Sequence, residues 1–286
     1  MVRSLTYFHS LLIILALASF SQKEWYKKEL SEEIEKQYAK QLLEGGSYSS
    51  YQGSVPEQMH YYEAIRMDSS IAELWREFGT ARVKRGILDE MYYFYGEAVE
   101  RDPAVWAGFR GYLYLYFYRD FERAIADFNL GDQANGQVDY SQGQNHDYMR
   151  GIAYYGLNNY PQALDQLNSY IDQTIEEAGA EWVDVYALLY KGLSLIKLDR
   201  IDEALKTFDE AEKIYPKLSD LFYHRARMAF MKGEYTQALE LIGITRNYFS
   251  EGYYHQRPYV EVLDQIYLQD IDQLEGEVRE AISGSG

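Results

Sequence analysis

Ala204 and Ala238 stand 34 residues apart, as do Ala64 and Ala98, and small and bulky residues recur in step with them along most of the chain. Self-similarity at that period means one helical unit stacked repeatedly, because a single unit cannot bury its own apolar face. A chain built this way need not close around one central core, so its 286 residues do not imply two globular domains.

The strongest unit is VYALLYKGLSLIKLDRIDEALKTFDEAEKIYP, residues 185 to 216, with Gly192, Ala204, Phe208, Ala211 and Pro216 at spaced positions. The next places Ala226, Gly233 and Ala238 in the same way. Upstream, Gly151, Tyr154 and Ala163 mark one unit, and Gly111, Ala124 and Phe128 another. Trp75, Phe78, Gly79, Gly86, Ala98 and Pro103 mark a third, and YYEAIRMDSS ends like the second helix of a worn sixth. Small residues let antiparallel helices approach, large ones fill the space beside them, and proline stops the second helix.

This pattern resembles the tetratricopeptide repeat (TPR) family over about residues 56 to 250. The resemblance implies an all-α fold: a TPR superhelix, or α-solenoid of antiparallel helix pairs, with an N-terminal helix and C-terminal capping helices. Two units exceed the standard length, since Gly111 and Gly151 are 40 residues apart and Gly151 and Gly192 are 41 apart. One insert is the polar stretch Gly131 to Asn145; the other lies near Asp172 to Glu181. Such inserts map to loops on one face, and a plain connection is the simpler reading than a binding loop.

The ends are organised separately. Residues 1–21 read as a signal peptide, with Arg3, the apolar run Leu11 to Ala18, and small Ser19 and Ser21 before a cut at Gln22. An uncleaved N-terminal anchor is the alternative; no later stretch offers about 20 consecutive apolar residues. Residues 22–55 read as an amphipathic helix and a Gly/Ser loop, 56–250 as five to six repeats, and 251–282 as capping helices carrying Val262, Leu263, Ile266, Ile271 and Leu274. Residues 283–286 look like a linker scar.

Composition narrows the function. The chain has no cysteine, which removes disulfides, thiolate nucleophiles, Cys-based zinc sites and an acylated cysteine. Its formal charge of −17 becomes −18 if Arg3 leaves with the leader, which disfavours nucleic acid and anionic lipid as partners. His60, His146, His224 and His255 lack ligand spacing, and serine elbows, P-loops and dinucleotide turns are absent. Asp132, Asn135 and Asp139 cluster near Gly136, but their spacing departs from that of a calcium loop. The expectation is no enzyme, no cofactor and no metal.

What stands out is aromatic: 30 tyrosines, some at packing positions of the repeat such as Tyr95 and Tyr154, others where the first helix of each unit would face an inner groove. Counted from the repeat glycines, the groove-facing candidates are Arg76, Tyr112, Tyr148, Ile152, Tyr155, Tyr186, Leu189, Tyr223 and Arg227. Tyrosine and arginine combine large surface with a polar end and dominate interface hot spots, although each tyrosine could instead pack within the array. TPR carboxylate clamps use Lys and Asn where this chain has Tyr148, Ile152, Leu189 and Leu193, so an apolar or aromatic segment is the expected ligand. The expected protein is a periplasmic scaffold that binds a protein partner in its concave surface and serves in assembly of a cell-envelope complex; a glycan- or peptidoglycan-binding protein using exposed tyrosines is the alternative.

Overall fold

A computed structural model describes residues 31–45 and 51–284. The leader expected over 1–21, the start of the N-terminal helix and part of the Gly/Ser loop lie outside those residues. The chain divides into two units, Met1–Asp102 and Pro103–Gly286. No described helix is long and apolar enough to cross a membrane.

The first unit contains helical residues 31–45 (α1), then α2 (Val55–Met67), α3 (Ala72–Lys84) and α4 (Leu88–Arg101). Helix α2 starts at a capped turn: Ser54 accepts from the Glu57 N–H, while the Glu57 carboxylate reaches one residue past the cap to accept from the Gly53 N–H. Ala39, Tyr61, Ala64 and Leu74 form a core that joins α1, α2 and α3.

The second unit is four antiparallel helix pairs and a final helix. They are α5 (Pro103–Leu113) with α6 (Phe121–Asn135), α7 (His146–Gly156) with α8 (Tyr160–Glu177), α9 (Val185–Lys197) with α10 (Ile201–Ile214), α11 (Ser219–Met231) with α12 (Tyr235–Ser250), and α13 (Leu268–Gly284). One turn of π-helix, Tyr114–Tyr118, extends α5. The fold is all-α and TPR-like, as the resemblance implied.

The reason for the recurring small residues is now visible. A Cβ on Gly79 would meet Tyr95 at 3.1 Å, on Gly111 Phe128 at 2.8 Å, on Gly151 Leu167 at 2.6 Å and on Gly192 Phe208 at 2.1 Å. In each pair the bulky residue follows by 16 or 17 positions and lies on the second helix, so bare backbone on one helix receives the side chain of the other. Ala226 and Ile242 repeat the relation in α11 and α12. Each turn between paired helices has one left-handed residue: Gly86, Arg119, Asn158, Asp199 and Gly233. Gly, Asn and Asp are the types that reach this region at least cost.

The two inserts are ordered. Around the first, α6 runs on to Asn135 and a two-stranded hairpin, β1 (Tyr140–Ser141) with β2 (Gln144–Asn145), leads into α7. The second is absorbed by the 18 residues of α8 and a 3₁₀ turn at Ala180–Trp182.

The C-terminal region differs from the expected run of capping helices. Only Leu268–Gly284 is helical; Ile271, Leu274 and Val278 cover the end of α11 and α12. Residues 251–267 form an irregular strap. The physical cause is local: Pro258 removes a backbone donor and turns Arg257 away from helical geometry, while Gly252, Tyr259 and Asp264 take positive φ. The strap's apolar residues Val262 and Ile266 are buried without a helix to carry them.

Candidate partner-binding groove

The first helices of the four pairs in the second unit, α5, α7, α9 and α11, carry eight of the nine candidate residues. The strap lies along them. It leaves α12 and first meets α11, where Tyr253 O accepts from the Ser219 N–H at 2.8 Å and Asp220 Oδ2 accepts from the His255 N–H at 2.9 Å. The His255 ring then stacks on Tyr186 of α9, with centroids 3.8 Å apart, and presents its edge to Tyr190.

Two residues further on, the Arg257 guanidinium lies 4.2 Å over the Tyr116 ring and donates to Tyr112 Oη at 3.2 Å. The π turn at the end of α5 keeps these two tyrosines together, ring centroids 5.0 Å apart, and Tyr116 Oη donates to Gln144 Oε1 of the hairpin at 3.0 Å. At Arg257–Val260 the strap reverses, its tip Tyr259 exposed, and returns. Glu261 then pairs with Arg119 at 3.1 Å, Leu263 O accepts from Tyr190 Oη at 3.0 Å, and Asp264 accepts from Tyr155 Oη.

The candidates divide accordingly. Tyr112, Tyr155 and Tyr186 hold the strap directly. Tyr148, Ile152 and Leu189 are buried at 2% exposure each; Tyr148 is in contact with Tyr170 at 5.5 Å between centroids. Tyr223 is half-buried against the α11–α13 core, and Arg227 on the same helix is exposed. Arg76 lies in α3 of the first unit, where it pairs with Glu77.

Tyr116, Tyr190, Asp220, His255, Arg257 and Asp264 also form the site and escape the count from repeat glycines. The signal for two of them is simple. Tyr116 and Tyr190 follow Tyr112 and Tyr186 by four residues, which places them on the same helix face. Nothing local marks His255, Arg257 and Asp264 except Pro258, which argues against a helix there.

Burial sets the groove's electrostatics. It pushes the Asp220 carboxyl up to about 6 despite the backbone N–H groups it accepts. It pushes His255 down to about 3, with the Arg257 charge adding to the effect. Burial holds Tyr148 and Tyr190 well above the usual phenol range, with Asp184 adding to it at Tyr148, and the Tyr116 phenol and then Asp264 at Tyr190. Neutral phenols therefore line the strap's path, and the strap brings a neutral imidazole, His255, and a half-buried cation, Arg257, against them.

A second cluster closes the first insert. Ser141 Oγ and His146 Nε2 are 2.9 Å apart, and His146 Nδ1 is 2.5 Å from Asp132 Oδ1, whose other oxygen accepts from Arg150 at 2.6 Å. The order of groups is that of a serine nucleophile, base and acid. Space decides against that reading: a Cβ on Gly108 would fall 2.3 Å from Ser141 Oγ and 2.4 Å from His146 Nε2, so helix α5 occupies the ground where a substrate carbonyl would stand. The cluster pins the hairpin to α5, α6 and α7. Its Asp132 is thus engaged by protein groups, and Asn135 donates to Asp139 at 2.6 Å. Among the described residues no group of three His, Cys, Asp or Glu is placed to hold a metal ion.

Comparisons with known proteins agree on the fold. Residues 148–219 and 189–242 match the family described as Tetratricopeptide repeat. A tetratricopeptide repeat protein from Parabacteroides merdae is similar in structure, with TM-score 0.62 and 20% identity over 86% of this chain and 88% of that one. BtubC (BKLC) from P. vanneervenii has TM-score 0.56 at 14% identity, over 80% of this chain and 98% of its own. PilW, described as a widely conserved type IV pilus biogenesis factor, has TM-score 0.54 at 14% identity, over 77% and 94%. No curated protein matches the chain significantly. The chain is thus an all-α protein of TPR-like fold whose residues 148–242 carry the tetratricopeptide repeat match.

Proposed function

We propose that this protein is a non-enzymatic TPR scaffold or adaptor of the bacterial periplasm, which binds a protein partner along the tyrosine-rich face of α5, α7, α9 and α11 and serves in assembly of a cell-envelope complex. The observation that carries the reading is that this face already holds an extended polypeptide, its own strap, by stacking on Tyr186, by hydrogen bonds from Tyr155 and Tyr190, and by the Arg257 site on Tyr112 and Tyr116. A surface that binds one extended segment by side-chain contacts can bind another with a matching pattern. The compartment rests on the leader-like residues 1–21.

The glycan alternative needs bare aromatic faces for sugar stacking. Tyr186 is covered by His255 and Tyr148 is buried, which favours the protein-binding reading. The test is affinity purification of the tagged full-length protein from its native envelope, with mass spectrometry, beside Tyr112→Ala and Arg227→Ala variants. A protein retained by the native chain and lost from both variants supports the proposal. Capture indifferent to both changes, or retention on cell wall without any protein partner, refutes it.

A further inference from the structure

The strap is bonded to the groove in a way unlike the rest of the fold. Of residues 251–267 only His255, Val262 and Ile266 are buried, and its one backbone-to-backbone bond to the groove wall is from Ser219 N–H to Tyr253 O. Tyr259 and Asp264 sit at φ of 70° and 52°, a region that side-chain-bearing residues enter only under strain. Few buried apolar contacts and strained backbone are the marks of a segment that opens before the domain does. Both ends are nonetheless secured, since α12 precedes it and α13 docks independently through Ile271, Leu274 and Val278. The strap can therefore leave the groove while the helices stay packed.

Its most specific contact is charge-selective. Arg257 is the cation over Tyr112 and Tyr116, in a chain whose formal charge is −17. The ring faces, the Tyr112 hydroxyl and the half-buried Asp184 carboxylate all favour a planar cation at that place. Resting on the groove reading above, we propose that residues 253–266 are a releasable internal occupant of the groove, and that the partner which displaces them presents an extended segment whose arginine takes the Tyr112–Tyr116 site. The tether gives the strap a high effective concentration, so a partner of modest affinity is excluded until the strap is weakened.

The test uses the full-length chain and a fluorescein-labelled peptide of residues 253–266, YYHQRPYVEVLDQI. In the native chain, strap amides should exchange with deuterium at least about 100-fold faster than amides of α7 and α9. The doubly substituted chain Arg257→Ala/Asp264→Ala should bind the peptide at least about tenfold tighter than the native chain does, and a peptide with its arginine changed to alanine should bind about fivefold more weakly. Strap amides as slow as those of α9 would make the strap a permanent part of the fold and overturn its release. No peptide binding to the opened chain, with its helical circular dichroism unchanged, would overturn the groove's affinity for such segments. Equal binding of both peptides would overturn the arginine requirement. None of these outcomes depends on partner capture from the envelope, so their failure and that of the broader function are separable.

Discussion

The imidazole of His255 lies flat on the Tyr186 phenol, 3.8 Å between centroids with planes 21° apart, and these two rings join the strap to α9. A stacked aromatic pair contributes about 0.5–1.5 kcal/mol beyond its area. His255→Ala should therefore speed deuterium exchange of strap amides about tenfold, while amides of α7 and α9 keep their protection. Uniform loss of protection across the second unit would show that the strap is no separate element.

Gly192 and Gly243 should respond oppositely to the same change. A Cβ on Gly192 would meet the Phe208 ring at 2.1 Å, whereas one on Gly243, exposed within α12, meets nothing within 4 Å. Gly192→Ala should cost about 1–3 kcal/mol through overpacking. Gly243→Ala should stabilise by about 0.5–1 kcal/mol, because alanine loses less backbone freedom on entering a helix. Thermal melts of both variants read the sign directly.

The hairpin latch can be opened one bond at a time. Ser141→Ala removes the partner of the buried His146 Nε2 and should cost about 1–2 kcal/mol, with exchange in residues 140–145 rising first. Gly108→Ala drives a methyl into both groups and should cost more. A melting temperature unchanged by either substitution would remove the latch from the account of how the first insert is ordered.

Acid should weaken the second unit through its buried histidines. Burial lowers His224 to about 4, with Arg227 and Lys197 adding to it and Asp264 opposing, and lowers His255 to about 3. Below their ordinary value the unfolded chain gains two protons that the folded chain refuses, so this stability is present above about pH 6.5 and is lost toward pH 4. Asp220, raised to about 6 by burial, works in reverse: its contribution is present below about pH 3.8 and is lost as pH rises through 6. These three together leave about one proton of net slope between pH 6 and 4, roughly 1 kcal/mol per pH unit. Neither ring should titrate above pH 5 by NMR, and His255→Gln should flatten the acid slope of urea unfolding; a ring titrating near 6.5 contradicts this.

The repeat itself was legible in the residues because its chemistry is local and periodic. Gly111, Gly151 and Gly192 and their partners Phe128, Leu167 and Phe208 lie within one helix pair, so spacing alone states which backbone is bare and which side chain fills it. The same periodicity placed Tyr112, Tyr155 and Tyr186 on the first helices of their pairs, and there they contact the strap. Only the tertiary structure showed what meets them. Arg257 and Tyr112 are 145 residues apart and Tyr155 and Asp264 are 109 apart. No periodic signal links positions so distant, because the strap's path is set by the shape of a surface that several repeats create together. Pro258 indicates that the segment does not continue as a helix; the groove decides where it goes.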